Sequence, residues 1–139
     1  CARRAAHKAI DPGLLDSLVA GGIGCDETPL STLFREAAEE AGLSQALARH
    51  ALPTGIMDST SLSEDDGYTV LHRERMHVFD LQVPEGFQPT HPDGETESAN
   101  LQSLEAVLAQ IRQGQWTREG AWASINLMHR HQKGMLQLR

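Results

Sequence analysis

At 139 residues and 40% hydrophobic, the chain has the size of one compact domain over residues 1–139, large enough to bury a core without disulfide staples. A formal charge of -7, from 19 acidic and 12 basic residues, excludes a general nucleic-acid-binding surface. It leaves room for a small phosphorylated ligand, because a bound cation reverses the local field.

Cys1 and Cys25 are too few for a disulfide framework, have no metal-ligand spacing and suit a reducing compartment. No apolar run is long enough to span a bilayer and CARRAAHKAI lacks a signal-peptide pattern, so the expectation is a cytoplasmic protein without a membrane partner.

The chain opens where a strand is expected to be under way already, which predicts upstream sequence. Asp11-Pro12-Gly13 reads as a turn, and Leu14 to Ala20 leads into Gly21-Gly22. A helix is predicted from Pro29 to Ala41, with Thr28 as N-cap, Pro29 at the first helical position and Gly42 as the stop. At about 100° per residue, Leu30, Leu33, Phe34, Ala37 and Ala41 form its apolar side.

Pro53 and Gly55 predict a broken strand and loop between Leu47 and Leu62, and Ser59 to Gly67 a polar, mobile loop. Tyr68 to Leu71 and Met76 to Val83 read as two strands, the second with a bulge or burial on both faces. Pro84 to Pro92 reads as a loop and Asp93-Gly94 as a turn. Leu104, Val107, Leu108 and Ile111 mark a helix ending near Gly114; Trp122, Ile125 and Met128 mark another, capped by Thr117. Strands interspersed with helices imply a layered α/β domain.

Glu36, Glu39 and Glu40 gather on the helix side opposite the apolar stripe. Like charges at helical spacing repel one another, and a hard metal such as magnesium, which prefers oxygen ligands, accounts for the cluster. A solvated acidic face is the ordinary reading of such a stretch. The surrounding residues displace it.

GGIGCDETPLSTLFREAAEEAGL, residues 21–43, resembles the Nudix box: G, five residues, E, seven residues, then R-E-U-x-E-E-x-G-U with U aliphatic. Gly21, Glu27, Arg35, Glu36, Ala37, Glu39, Glu40, Gly42 and Leu43 meet every fixed position. The resemblance implies a Nudix-type α/β/α sandwich with a mixed β-sheet. It also implies that Glu36, Glu39 and Glu40 are catalytic, metal-binding carboxylates for Mg2+, with Mn2+ as a substitute. Gly21, Glu27 and Arg35 then support the site, Glu27 and Arg35 pairing to fix loop against helix. Only Gly21 gives the required spacing to Glu27; aligning Gly22 leaves the loop one residue short, and Asp26 stands where relatives commonly carry glycine.

VAGGI at 19–23, VFDLQVPEGFQP at 78–89 and DGETES at 93–98 resemble the Nudix subfamily named for its relation to thiamine pyrophosphokinase. That family commonly uses a further glutamate on a later strand or loop. Glu97 is the favoured additional catalytic and metal carboxylate, with Glu95 as a second acidic contact; period-two geometry points both to one side if the segment is extended. Arg3 and Arg4 are candidates for phosphate contact, against ordinary solvated strand-end arginines. His72 and His77 form no zinc or nucleophilic constellation, Tyr68 is a candidate contact for the organic part of a substrate, and Trp116 and Trp122 read as helix packing.

The expected activity is magnesium-dependent hydrolysis of a diphosphate linkage in a small metabolite, with thiamine diphosphate or an oxidised analogue giving the monophosphate and phosphate. Two alternatives stand beside it: a hydrolase of nucleoside diphosphate derivatives, and a non-catalytic metabolite-binding module. A homodimer is the candidate assembly, and no nucleic acid polymer is expected as partner.

Overall fold

The computed structural model describes residues 1–90 and 94–133; Pro92 and Asp93, part of the expected loop and turn, lie outside the described residues. In chain order the elements are β1 (Ala2–Arg4), β2 (Leu15–Asp16), α1 (Pro29–Ala41), α2 (Gln45–Ala48), β3 (Leu52–Asp65), β4 (Tyr68–Asp80), β5 (Thr96–Ala99), α3 (Leu104–Arg112) and α4 (Arg118–Gln132). This is the α/β class expected from the sequence. Strands β2, β1 and β5 form one antiparallel sheet in that order, and β3 pairs with β4 in a long hairpin. Among the described residues a parallel contact occurs at one isolated bridge, between Leu15 and Trp116.

Helix α1 begins and ends where its caps dictate. The Thr28 hydroxyl accepts from the Ser31 N–H at 3.1 Å and the Ser31 hydroxyl accepts from the Thr28 N–H at 2.8 Å, satisfying donors that the first turn leaves orphaned. Gly42, at φ 62°, takes the left-handed conformation that ends the helix without a Cβ penalty. Thr90 is packed so closely on it that a side chain at 42 would overlap the threonine hydroxyl.

The hairpin departs from expectation in three ways. Ser59 to Gly67 is strand and turn, not loop, because Asp66 (φ 47°) and Gly67 (φ 80°) both take the positive φ of a two-residue turn whose twist matches the strands it joins. Strand β4 runs unbroken through His72 to Arg75, held in register against β3 and by the Arg75–Asp58 ion pair at 2.8 Å, and it ends at Asp80 rather than Val83. The weakness expected around Pro53 and Gly55 survives as a register shift between those residues, where proline has no N–H to give the ladder.

Two apolar clusters hold the layers together. Ala37, Ala41, Leu43 and Ala48 join α1 to α2, with Leu18, Val19, Phe34, Leu81 and Phe87 packed around them. Leu15, Val107 and Trp116 form the second, which Ile111, Ala121 and Met128 enlarge. The small residues let helices and loop approach closely. Leu30, expected on the buried side of α1, is 45% exposed, and Trp122 and Ile125 of α4 are exposed rather than packed.

Helix α4 lies along the hairpin, secured at both ends. Arg118 donates to the Ser59 hydroxyl and to the Thr60 carbonyl, and Arg130 Nη2 donates to both carboxylate oxygens of Asp80 at 2.7 and 2.8 Å. Twelve helical residues rise about 18 Å. Ser59 pairs with Glu74, and Glu74 and Asp80 are six strand residues or roughly 20 Å apart, so the two anchor spacings match.

Candidate active site

Glu27 and Arg35 brace the glycine loop against α1. Arg35 donates from Nε to Glu27 Oε1 at 2.8 Å and from Nη2 to Oε2 at 2.9 Å, a bidentate fork on a carboxylate. The Gly24 N–H and the Thr32 hydroxyl also donate to Oε2, each at 2.9 Å. These bonds, led by that of Arg35, hold the Glu27 carboxyl down to about 2 against a usual 4.5. Glu27 correspondingly holds the Arg35 guanidinium above its ordinary range.

The same guanidinium reaches the helix carboxylates, with Nη1 donating to Glu36 Oε1 at 2.6 Å and to Glu39 Oε2 at 3.1 Å. Its other amino group donates to the Gly22 carbonyl at 3.2 Å. One arginine thus joins the loop, the loop glutamate and two of the three helix glutamates. Glu36 is mostly buried, with its carboxylate laid against Gly21 so that a side chain there would overlap it, whereas Gly22 faces open space. Glu40 accepts from the Ala20 N–H at 2.7 Å, which fixes the approach to the loop. Glu39 is half exposed.

The later carboxylates separate. In the β1–β5 pairing Arg3 faces Ser98 and Arg4 faces Thr96, so Glu97 is the extra residue of a bulge and the alternation that would align it with Glu95 is broken. Glu95 lines a small cleft together with Glu40, Arg4, Lys8 and Asp16; Glu97 is exposed and does not line it. Lys8 pairs with Glu95 at 2.5 Å and lowers the carboxyl's pKa. Of the two arginines, Arg4 faces this cleft and bonds Asp16 at 3.2 Å, while Arg3 donates to the Gly13 carbonyl at 2.7 Å. Tyr68 stands 75% exposed beside the hairpin turn, outside the lining of either cleft described here.

Asp16, Thr32 and Lys8 escaped the sequence reading. Asp16 accepts from Arg4, from the Ser17 N–H at 2.7 Å and from the Thr117 hydroxyl at 2.9 Å, tying β2 to the cap of α4. Gly120 is packed against it, an added Cβ falling 2.5 Å from Asp16 Oδ1. Thr117 and Gly120 lie about a hundred positions from Asp16, so no local pattern reveals these contacts. Thr32 is legible in retrospect, lying five residues after Glu27, about where a capping loop returns to its helix.

A larger cleft of about 750 Å³ adjoins the first and shares Arg4, Asp16, Ser17, Leu18 and Ala20 with it. Glu36 stands on its wall. The donor set suits magnesium, since Glu36, Glu39 and Glu40 offer only oxygen and project from one ridge. Among the described residues no three His, Cys, Asp or Glu side chains close into a cage. An open ridge is compatible with an ion that keeps waters and binds through one or two carboxylates plus substrate phosphates.

Known proteins are similar to this chain over most of its length. Two proteins of Arabidopsis thaliana, Nudix hydrolase 24, chloroplastic, and Nudix hydrolase 20, chloroplastic, are 32% and 33% identical to this chain over 130 residues, 93% of this chain and 34% of each of theirs. An uncharacterized protein of Saccharomyces cerevisiae is 28% identical, over 93% of this chain and 40% of its own. The chain therefore spans 34 to 40% of the length of these relatives. A model of the NUDIX domain matches residues 1–120, including the loop, the brace and all the carboxylates described above, and the chain belongs to that family.

Proposed function

We propose that this chain is the catalytic domain of a magnesium-dependent hydrolase that cleaves the diphosphate linkage of a small metabolite. The observation that carries the reading is the shared guanidinium of Arg35, which locks Glu27 and orients Glu36 and Glu39 on the same ridge as Glu40. Glu36, Glu39 and Glu40 would hold the ion, with manganese as a substitute, and Glu95 or Glu97 would complete the set. The ion, when bound, supplies neutralising charge at the transferring and leaving oxygens.

The protein's own part is positioning and proton transfer. Arg4 and Lys8 border the cleft that Glu40 and Glu95 line; they pair there with Asp16 and Glu95, and a phosphate entering the cleft would compete with those carboxylates for their donors. A carboxylate of the set accepts a proton from the attacking water; the new P–O bond forms as the bridging P–O bond breaks. The finer reading of the substrate is thiamine diphosphate or an oxidised analogue, giving the monophosphate and phosphate, and it rests on the resemblance of the stretches at 19–23, 78–89 and 93–98. Nucleoside diphosphate derivatives are the competing class.

A panel of thiamine, nucleoside and sugar diphosphates, assayed for phosphate or monophosphate release with magnesium, tests the reading. Release from one class, lost on chelation and in Glu40→Gln, supports it. Unchanged activity in Glu40→Gln would sink the metal role, and no release from any class would sink the catalytic one.

A further inference from the structure

The larger cleft lies between α1, the first turns of α4 and the hairpin. Its volume of about 750 Å³ is in the range of small-molecule sites, which are typically apolar with a few placed polar groups. Part of its lining is Met57 and Met76, which face each other across β3 and β4 in register, with Phe79 and Leu81 nearby in the wall. Paired thioethers are soft, adaptable surfaces that make favourable contacts with aromatic rings.

The charges around this apolar wall are unbalanced. Five carboxylates line the cleft, Asp11, Asp16, Glu36, Glu74 and Glu119, against Arg4 and Arg75. Those two arginines are committed, Arg4 to Asp16 and Arg75 to Asp58, while Glu36 is held by Arg35 and Glu119 by Arg118. Glu74 makes no ion pair among the described residues; the Arg118 guanidinium reaches the strand face it shares with Ser59 but is held there by the Ser59 hydroxyl and by Glu119. Glu74 neighbours Met76 two residues along the same strand, so alternation places both on one face of β4.

We infer that this cleft receives the organic half of the substrate, that Met57 and Met76 stack on an aromatic ring, and that Glu74 selects for a ring carrying positive charge. The inference extends the diphosphate reading, because Glu36 borders the same cleft and would place the phosphates at its edge. Glu74 is thereby a specificity residue. A cation beside a carboxylate at a partly solvated wall gains about tenfold in affinity over its neutral isostere.

The test uses two phosphate-free probes, the 1-methylnicotinamide cation and neutral nicotinamide, titrated into the protein by calorimetry and by 13C-methyl methionine spectra. The cation is expected to bind about tenfold more tightly, to shift the methyl signals of Met57 and Met76 and not that of Met128, and to lose most of its advantage in Glu74→Gln. Met76→Leu, which conserves volume, is expected to weaken both probes together. Equal binding of the two probes, a preference that survives Glu74→Gln, or no binding of either overturns the assignment. Because neither probe can be hydrolysed, absent hydrolysis with an intact cation preference would overturn the catalytic reading and leave this one standing.

Discussion

The carboxylate of Glu36 rests on the Cα of Gly21, and there is no room between them for a methyl group. The glycine pair is therefore asymmetric in its physics: position 21 is fixed by contact, whereas position 22 opens to empty space. Gly21→Ala is expected to displace Glu36 or the loop, lowering kcat about a hundredfold and stability by about 1–3 kcal/mol. Gly22→Ala is expected to stay within about threefold of the parent in the same assay, as small changes away from special features do. Equal effects at the two positions would refute the packing argument.

Acid should undo the brace between Glu27 and Arg35. The Glu27 carboxyl is depressed from 4.5 to about 2 in the folded protein, so its contribution to stability is fully present above the unfolded value and is lost as pH falls from about 4.5 towards 2. Glu27→Gln has no such carboxyl. The stability difference between parent and variant, from urea denaturation across this range, is expected to be constant above about pH 5 and to shrink on acidification. A difference independent of pH would mean that the ionised carboxylate is not what braces the loop.

The bulge at Glu97 separates the two later carboxylates. Since Glu95 shares a cleft with Glu40 and Glu97 does not, Glu95→Gln is expected to lower kcat about tenfold to a hundredfold, in the range of a positioned acid–base or charge-stabilising group. Glu97→Gln should remain within a few fold. The reverse ranking, measured with magnesium saturating, would return the role to Glu97.

The anchor between Arg130 and Asp80 is mostly buried, with side chains 12% and 19% exposed. Removing one partner leaves the other charge poorly solvated, so Asp80→Asn or Arg130→Met is expected to cost about 2 kcal/mol, and the double variant less than the sum. Chemical denaturation of the four proteins gives the coupling. Additive effects would show that the pair is solvated and that α4 is held by other contacts.

The sequence alone determined the elements whose signals are local. Thr28, Pro29 and Gly42 bound α1 because caps act within one turn, and the α/β class followed from alternating periodicities. The spacing of Gly21, Glu27, Arg35 and the three helix glutamates identified the candidate site because all of it lies within one loop and one helix. In the hairpin the apolar pattern marks Tyr68 to Leu71 and Met76 to Asp80 as strand, whereas Ser59 to Glu64 and His72 to Arg75 are mostly polar and carry no such pattern, although Asp66-Gly67 carries the turn signal.

Tertiary structure decided what depends on contacts between distant segments. The bulge that parts Glu95 from Glu97 is a property of pairing with β1, and the partners of Asp16 reach it from Arg4 and Thr117. The cleft that joins Glu36 to Met57, Met76 and Glu74 exists only because α1 and the hairpin face one another across it. Local chemistry writes caps and motif spacing into the chain, whereas burial, register and the counter-charges of a site are set by residues that meet only on folding.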